Sequence, residues 1–502
     1  MTAHLDPHPS SADLAYTDAS DLARALADGT TTSADAVRVL LSRIEAVDGP
    51  GSSGVGLGAV IAVCPDAVEQ AERLDAERAS GQVRGPLHGV PVLVKDNVEV
   101  LGMPATAGSL ALAGRPAQRD APIVARLREA GLVILGVTNL SEWANIRSHR
   151  STSGWSAYGG LTGNPWALDR SAGGSSSGSG AAVAAGLAPL AIGTETDGSI
   201  TCPSSLNGIV GLKPTVGLVP TEGIVPISAS QDMPGPMGRS VRDIALGLDA
   251  LTGSGQYADA VGSRVAASVR LGVADGWLSG HPETDQVFLA STQRLFEAGM
   301  TLVTSAVTAT EFLGEDELHV LLAELVDDMD AYLAARPGDG VRSLADVVAF
   351  NRDHAADELR WFGQEFLEQA LDTGGRAGEK YEAARAACLR WAVEENLQKA
   401  FDADPAIDAL VAPAYAPAWK SDLTNGDQFA GGGNASPAPS IAGWPVLALP
   451  MGFVDGLPVG LVLIGRPCSE SVLIGVGEAV ERALGVRADG YPRPPFRAPS
   501  RG

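Results

Sequence analysis

Serine residues dominate the part of the chain whose composition best suits chemistry, residues 173–215. Three serines, 175–177, lie between glycines, and a fourth, Ser199, follows in the turn Thr-Asp-Gly-Ser. Between the two sites the residues predict a buried helix from 180 to about 186 and a strand from 189 to 193. A helix that leads into a strand returns the chain on itself, so we expect the two serine sites to lie together. A serine hydroxyl there becomes a nucleophile once a neighbouring base removes its proton.

Familiar motifs do not account for these serines. Residues 174–178, GSSSG, match the G-x-S-x-G elbow, but that elbow needs a strand directly before it, and the preceding NPWALDRSAG reads as turn. The later histidines fall in or beside predicted helices: His281, His319 and His354. The segment 208–213, GIVGLK, lacks the spacing of a P-loop, and no H-E-x-x-H zinc motif occurs.

Lys95 is the candidate base. It ends a valine-rich run, 90–94, that predicts a buried strand, so its amine could lie at the same sheet edge as Ser199. A lysine replaces histidine in serine–lysine pairs. Its ordinary pKa is near ~10.4, so burial must lower that value before the amine can act as a base at neutral pH. The alternative interpretation is a lysine that simply marks where the strand emerges into water.

With Lys95 and the two serine sites together, the chain resembles the amidase signature family of serine hydrolases over about residues 21–485. Five motifs in the family's order carry the resemblance: GPLHGVPVLVKDN, GGSSSGS, GTETDGSI, GLKPT and GLPVGLVLIGRP. The resemblance implies an α/β fold with a large central twisted mixed β-sheet surrounded by α-helices. It also implies amide hydrolysis with no metal and no cofactor.

The resemblance assigns roles to individual residues. Ser199 matches the nucleophile that forms an acyl-enzyme, and Ser175 matches the serine that relays protons after a cis Gly174–Ser175 bond. Lys95 matches the base. The other hydroxyls of the cluster are expected to support the loop: Ser176, Ser177 and Ser179.

The turn before the nucleophile departs from the family's pattern. Its backbone N–H groups are expected to form an oxyanion hole: Thr196, Asp197 and Gly198. Many members have Gly-Gly before the nucleophile, whereas this chain has Asp197-Gly198. A carboxylate beside a developing oxyanion is unfavourable, so we expect it to point away, for example to backbone donors.

Loop residues near the triad are expected to contact the substrate: Thr138, Asn139, Asn145, Trp155 and Tyr158. Gln231 and Asp232 are expected to brace the site from behind. The segments TETDGSI, SQDMPGPM and APAYAPAW make the chain most similar to the peptide amidase branch, which removes the C-terminal amide of peptides. Two alternatives stay open: a glutaminase-type subunit of a tRNA-dependent amidotransferase, or a hydrolase of anilides, hydrazides, carbamates or esters.

Composition limits the partners. The 502 residues carry 36 Lys and Arg against 60 Asp and Glu, a net charge of −24, which disfavours nucleic acid and anionic membranes. No run of ~20 apolar residues predicts a membrane span, and no secretory signal is visible. Four dispersed cysteines predict neither disulfides nor zinc: Cys64, Cys202, Cys388 and Cys468. We therefore expect a cytoplasmic monomer or homodimer whose partner is a small-molecule or peptide amide.

The chain predicts one domain, 14–502, after a mobile tail, 1–13. A mostly helical insertion is expected at about 311–401. Its first part, 311–330, holds eight acidic residues and no Lys or Arg, which is typical of a solvated helix face. Residues 148–171 show little periodicity and predict a long loop. Elsewhere strands alternate with helices, which favours parallel pairing.

Overall fold

A large mixed sheet surrounded by helices forms the protein. The computed structural model describes residues 11–49, 56–305, 307, 314–488 and 490–498. The strands are β1 (Val60–Val63), β2 (Pro91–Lys95), β3 (Val133–Thr138), β4 (Trp155–Ser156), β5 (Gly160–Leu161), β6 (Gly163–Asn164), β7 (Ala167–Ser171), β8 (Leu190–Glu195), β9 (Val210–Lys213), β10 (Met233–Gly238), β11 (Arg270–Val273), β12 (Thr301–Thr304), β13 (Ala409–Pro413), β14 (Val446–Val454) and β15 (Leu457–Ile464).

The helices of the described residues cover both faces of this sheet. They are α1 (Ser11–Ala15), α2 (Ala19–Ala27), α3 (Ser33–Val47), α4 (Ala67–Ala79), α5 (Pro122–Glu129), α6 (Ser177–Ala184), α7 (Thr201–Asn207), α8 (Val241–Thr252), α9 (Gln256–Ala260), α10 (Pro282–Glu297), α11 (Gly314–Ala335), α12 (Leu344–Asp353), α13 (Ala355–Glu358), α14 (Glu365–Leu371), α15 (Tyr381–Leu389), α16 (Gln398–Ala403), α17 (Pro437–Ile441) and α18 (Glu470–Leu484). A π-helical segment, Arg390–Leu397, joins α15 to α16.

Eleven strands form the central sheet, in the order β1-β3-β2-β8-β10-β9-β14-β15-β13-β11-β12. Strand β2 runs parallel to β3 and β8, and β11 runs parallel to β12 and β13. The remaining neighbours are antiparallel. Every residue of β2, β3 and β8 is buried, as strands covered on both faces require. The predicted mixed sheet with surrounding helices is confirmed, whereas parallel pairing holds for only part of it.

No sequence pattern predicts strand β10. Its sequence, MPGPMG, contains two prolines and two glycines, which are depleted in strands. It nevertheless pairs antiparallel with β8 along six residues. A Cβ at Gly235 would lie 1.9 Å from the carbonyl oxygen of Leu212, so this position must remain small.

Two segments contain elements that no sequence pattern indicates. Residues 11–13, predicted to belong to a mobile tail, lie at the start of α1, and the rest of that tail lies outside the described residues. The predicted loop at 148–171 contains the four short strands β4–β7, and β7 precedes the serine cluster where turn is expected. Both segments lack hydrophobic periodicity, so a pattern of apolar residues does not reveal them.

The predicted helical insertion is mostly helical between residues 314 and 403, but its acidic face is not simply solvated. Glu317 and Glu324 are only 5% and 1% exposed. A fully buried Arg147 ties the insertion to the rest of the chain, since it contacts Glu142 and donates hydrogen bonds to the carbonyl oxygens of residues 358, 362 and 363. A second carboxylate, on Glu358, lies 3.6 Å from the same guanidinium. Among the helices that the structure describes, none has the length and apolar character needed to cross a membrane.

Candidate active site

Two parallel strands bring the candidate residues to one edge of the sheet. Strand β2 ends at Lys95 and β8 ends at Glu195, with Val94 paired to Ile192. Carboxyl ends of parallel neighbours meet at the same edge. Lys95 Nζ therefore lies 2.9 Å from Thr194 Oγ1 and 3.3 Å from the Thr194 carbonyl oxygen.

Lys95 also reaches the serine cluster. Its Nζ lies 2.8 Å from Ser175 Oγ, and the Gly174–Ser175 bond is cis, as the resemblance implies. Both side chains are fully buried. Burial lowers the pKa of Lys95 to about 7, although the negative charges of Asp232 and Glu195 act to raise it. The alternative interpretation, that this lysine marks where the strand emerges into water, is therefore wrong.

The turn that carries Ser199 is held from inside. Glu195 accepts hydrogen bonds from the backbone N–H groups of Ile200, at 2.6 Å, and Thr201, at 2.8 Å. The carbonyl oxygen of Ser199 accepts a hydrogen bond from the backbone N–H of Ser176 at 3.1 Å, which ties the turn to the serine cluster. Sequence reasoning missed Glu195, although its place in the motif TETDGSI is visible.

Gly198 is required where it stands. Its φ is +76°, a backbone conformation that L side chains rarely adopt. A Cβ at this position would lie 2.3 Å from the Tyr415 hydroxyl. The turn therefore presents Ser199 only with glycine before it.

The departure at Asp197 is accommodated by serine hydroxyls. Ser436 and Ser440 donate hydrogen bonds to its Oδ1, the second at 3.3 Å. Burial raises the pKa of Asp197 to about 6, against these hydrogen bonds, which lower it. The expected backbone donors are thus replaced by side chains from the short helix α17 and the residue before it, which lie far along the chain and which no local pattern predicts.

Gln231 and Asp232 lie behind the turn, where their expected bracing role places them. Thr196 donates its hydroxyl to Asp232 Oδ1 at 2.6 Å, and Gln231 Nε2 donates to the Thr196 carbonyl oxygen at 3.4 Å. Burial raises the pKa of Asp232 to about 6. Both residues contact Thr196, the first residue of the turn.

The remaining serines of the cluster bond to backbone. Ser176 donates to the Thr194 carbonyl oxygen at 3.0 Å, and Ser179 donates to that of Ile192 at 3.2 Å. Ser177 donates to the carbonyl oxygen of Gly173. These hydroxyls support the loop, as expected.

Ser199 opens on a cavity of about 220 Å³. Of the five expected substrate contacts, Asn145 lines this cavity. Thr138 is fully buried, 2.7 Å from Ser179 Oγ, and Asn139 donates to backbone and to Thr162. Trp155 packs edge-on against Phe362, and Tyr158 is 38% exposed. These four residues are not among the described residues that line this cavity.

Several lining residues are missed by sequence reasoning. Apolar and aromatic side chains from distant segments complete the cavity wall: Ile146, Ile227, Leu321, Tyr415 and Phe429. Their sequence surroundings carry no common pattern, since each belongs to a different loop or helix. Only APAYAPAW, which contains Tyr415, stands out as a motif.

Comparisons with known proteins agree with this geometry. A family model described as Amidase matches residues 35–474. A glutamyl-tRNA(Gln) amidotransferase subunit of Symbiobacterium thermophilum is 35% identical over 491 residues, covering 92% of this chain and 96% of that protein. The native peptide amidase from Stenotrophomonas maltophilia is 42% identical, with a TM-score of 0.88 over 96% of this chain and 98% of that one. The peptide amidase PAM in complex with the inhibitor chymostatin is also 42% identical, with a TM-score of 0.90 over 96% and 99%.

Proposed function

This chain belongs to the amidase family and hydrolyses amide C–N bonds, and we propose that it does so through an acyl-enzyme on Ser199. In this proposal Ser175 relays protons and Lys95 is the base. The observation that carries it is the 2.8 Å contact between Lys95 Nζ and Ser175 Oγ, made by a fully buried amine. Burial favours the neutral amine, whose lone pair accepts a proton.

The partners of Lys95 suit a neutral amine. Its two hydrogens can be donated to the carbonyl oxygen and the hydroxyl of Thr194, at 3.3 and 2.9 Å. The lone pair then faces Ser175, whose hydroxyl can donate to it. Asn97 Nδ2 donates to the same Thr194 hydroxyl at 3.0 Å and helps to hold it in place.

The reaction then has two halves. As Ser199 Oγ attacks the carbonyl carbon, its proton passes to Ser175 and the proton of Ser175 passes to Lys95. The relay returns a proton to the leaving nitrogen, the C–N bond breaks, and ammonia or an amine departs. Water attacks the acyl-enzyme by the same relay, which releases the carboxylic acid and restores Ser199.

Backbone donors stabilise the negative charge that forms on the carbonyl oxygen. The backbone N–H groups of residues 200 and 201 already donate hydrogen bonds to Glu195. We therefore assign the oxyanion hole to the preceding backbone amides, those of Thr196, Asp197 and Gly198. One such donor lowers the barrier by roughly 3–4 kcal/mol. The serine partners of Asp197 satisfy its carboxylate, which reduces its effect on the oxyanion.

Peptide and small carboxamides are the substrates we propose. Apolar and aromatic side chains form part of the cavity wall, and the peptide amidases at 42% identity match the fold almost throughout. Among the described residues that line the cavity, Asp197 is the charged one. No described lining residue offers a cation to bind a free carboxylate, so an amidated terminus suits the cavity better than the acid that is its product.

The relatives that are named as amidotransferase subunits support one rival function, ammonia release from glutamine for a second protein. The charge of the cavity argues against it, because glutamine carries an α-carboxylate and no described lining residue offers a cation. The monomeric or dimeric state and the cytoplasmic location stay predictions of the sequence.

The test measures ammonia release by the purified chain from an N-acetylated dipeptide amide and from glutamine. For the anilide, hydrazide and ester of the same acyl group it measures release of the carboxylic acid, and for a carbamate it measures release of the amine. Ser199→Ala should abolish turnover, whereas Ser268→Ala, at an exposed serine, should not change it. A slowly hydrolysed aryl ester should leave its acyl group on Ser199 by peptide mass analysis. An adduct on Ser176, or activity only on glutamine with a co-purified partner, would contradict the proposal.

A further inference from the structure

The acidic face of helix α11 holds the loop that lies behind the candidate active site, residues 227–232, here called the brace loop. Glu324 Oε2 accepts hydrogen bonds from Ser228 Oγ at 2.6 Å and from the Ser230 backbone N–H at 3.0 Å. One turn later, Asp328 Oδ2 accepts the backbone N–H of Ala229 at 3.0 Å. Three consecutive residues of the loop are thus bonded to carboxylates of one helix.

Glu324 is itself held on its other side. Tyr381 donates its hydroxyl to Oε1 at 2.6 Å, and the guanidinium of Arg376 lies 3.6 Å from Oε2. Burial alone would raise the pKa of Glu324, but the hydrogen bonds from Ser228, Tyr381 and Ser230 and the charge of Arg376 together lower it. An ionised carboxylate offers only acceptors, which suits three converging donors.

The brace loop in turn reaches the reacting groups. Asp232 Oδ2 accepts the backbone N–H groups of residues 227 and 228, at 2.7 and 3.0 Å, while its Oδ1 accepts the hydroxyl of Thr196. Gln231 Nε2 joins the Thr196 carbonyl oxygen to Glu317 of α11, 3.1 Å away. Asp232 and Glu195 are the charges that act on Lys95. The loop therefore places both the first residue of the nucleophile turn and a charge beside the base.

We propose that Glu324 is a positioning residue for amide hydrolysis: by fixing the brace loop it sets the position of Thr196 and of the Asp232 carboxylate. This inference rests on the proposed function of Ser199 and Lys95. The acidic segment predicted to be a solvated helix face thereby gains a role in the reaction. Misplacement of a reacting group by about 1 Å costs on the order of 100-fold in rate.

Three variants separate this role from simple stability. Glu324→Leu removes every acceptor and should lower kcat, expressed per active site, by roughly 10- to 100-fold. Glu324→Gln keeps a carbonyl oxygen for Ser228 and Ser230, and its amide can donate to the Tyr381 oxygen, so it should restore most of that loss. Glu315→Leu, at an exposed acid of the same helix, is the matched control and should equal the wild type.

Active sites are counted by titration with the acylating ester, so unfolded protein does not enter kcat. The acidic limb of the kcat/KM profile is measured as well, because displacing Asp232 changes the charge facing Lys95. The inference is supported if the acidic limb of kcat/KM moves along the pH axis in Glu324→Leu and lies at its wild-type position again in Glu324→Gln. If Glu324→Leu keeps the wild-type kcat per titrated site and the wild-type acidic limb, the inference is overturned. A fully active Ser199→Ala would instead overturn the proposed function.

Discussion

If Lys95 is the base, as we propose, its pKa should set the pH dependence of amide hydrolysis. With a pKa of about 7, the amine is neutral in about half of the molecules at pH 7. With the ordinary lysine value of 10.5, the neutral fraction at that pH is only about 1 in 3000. Burial thus raises the population of active base by about three orders of magnitude. Because the protonated amine cannot accept a proton, kcat/KM should fall about tenfold per pH unit below pH 6 and level off above pH 8.

Replacing the base should remove this behaviour. Lys95→Met has a similar length, leaves no group to accept a proton, and fills much of the buried space. We expect kcat/KM for a peptide amide at pH 8 to fall by at least roughly 1000-fold, the scale of a lost general base that serves a nucleophile. The acidic limb near pH 7 should disappear, because the group that produces it is gone.

The measurement is ammonia release by a coupled assay from pH 5 to 9. Folded enzyme is counted by absorbance and circular dichroism, because a variant without the base would not be acylated by the titrating ester. Lys399→Met, at an exposed lysine far along the chain, is the control and should keep the wild-type profile. A Lys95→Met enzyme that keeps a tenth of the activity, or that still shows a limb near pH 7, would refute a lysine base.

Three further predictions concern the nucleophile turn, a charge that acts on the base, and the buried cluster around Arg147. Gly198→Ala should lose at least ~1–3 kcal/mol of stability and most activity, because its methyl group would meet a tyrosine hydroxyl at a left-handed backbone position. Urea unfolding and the amide assay measure the two effects, and a variant that is fully stable and fully active would contradict the geometry of the turn. Asp232→Asn keeps an oxygen for the backbone N–H groups of residues 227 and 228 and lets its amide donate to the Thr196 hydroxyl. It removes a charge that raises the pKa of Lys95, so the acidic limb of kcat/KM should move to lower pH by up to about one pH unit; movement to higher pH would show the sign to be wrong. Arg147→Met leaves two carboxylates buried without their cation and should lower the free energy of unfolding in urea by about 3–5 kcal/mol. Its control, Arg352→Met, breaks an exposed ion pair and should lower it by under ~1 kcal/mol. Equal losses in the two variants would argue against the buried cluster.

Local sequence determined the elements that carry the site. Short apolar runs predicted β2 and β8, and the strand ending at Lys95 is seen where expected. The helix capped by Thr32 is another local feature, since the hydroxyl accepts the Asp35 backbone N–H at 3.1 Å. These features depend on neighbours within a few residues, so a linear pattern contains them. Local patterns left the choice among the serines open, and the resemblance to the amidase signature family selected Lys95, Ser175 and Ser199; the structure places Lys95 Nζ 2.8 Å from Ser175 Oγ.

Tertiary structure alone decided how those residues are tuned. The pKa of Lys95 depends on complete burial, which arises from strands and helices distributed along the whole chain. The hydroxyls that satisfy Asp197 come from Ser436 and Ser440, and the carboxylate that anchors the brace loop comes from Glu324 in a helix whose composition suggested solvent. Desolvation and distant hydrogen bonds have no signature in local spacing, because each is a property of everything packed around a group.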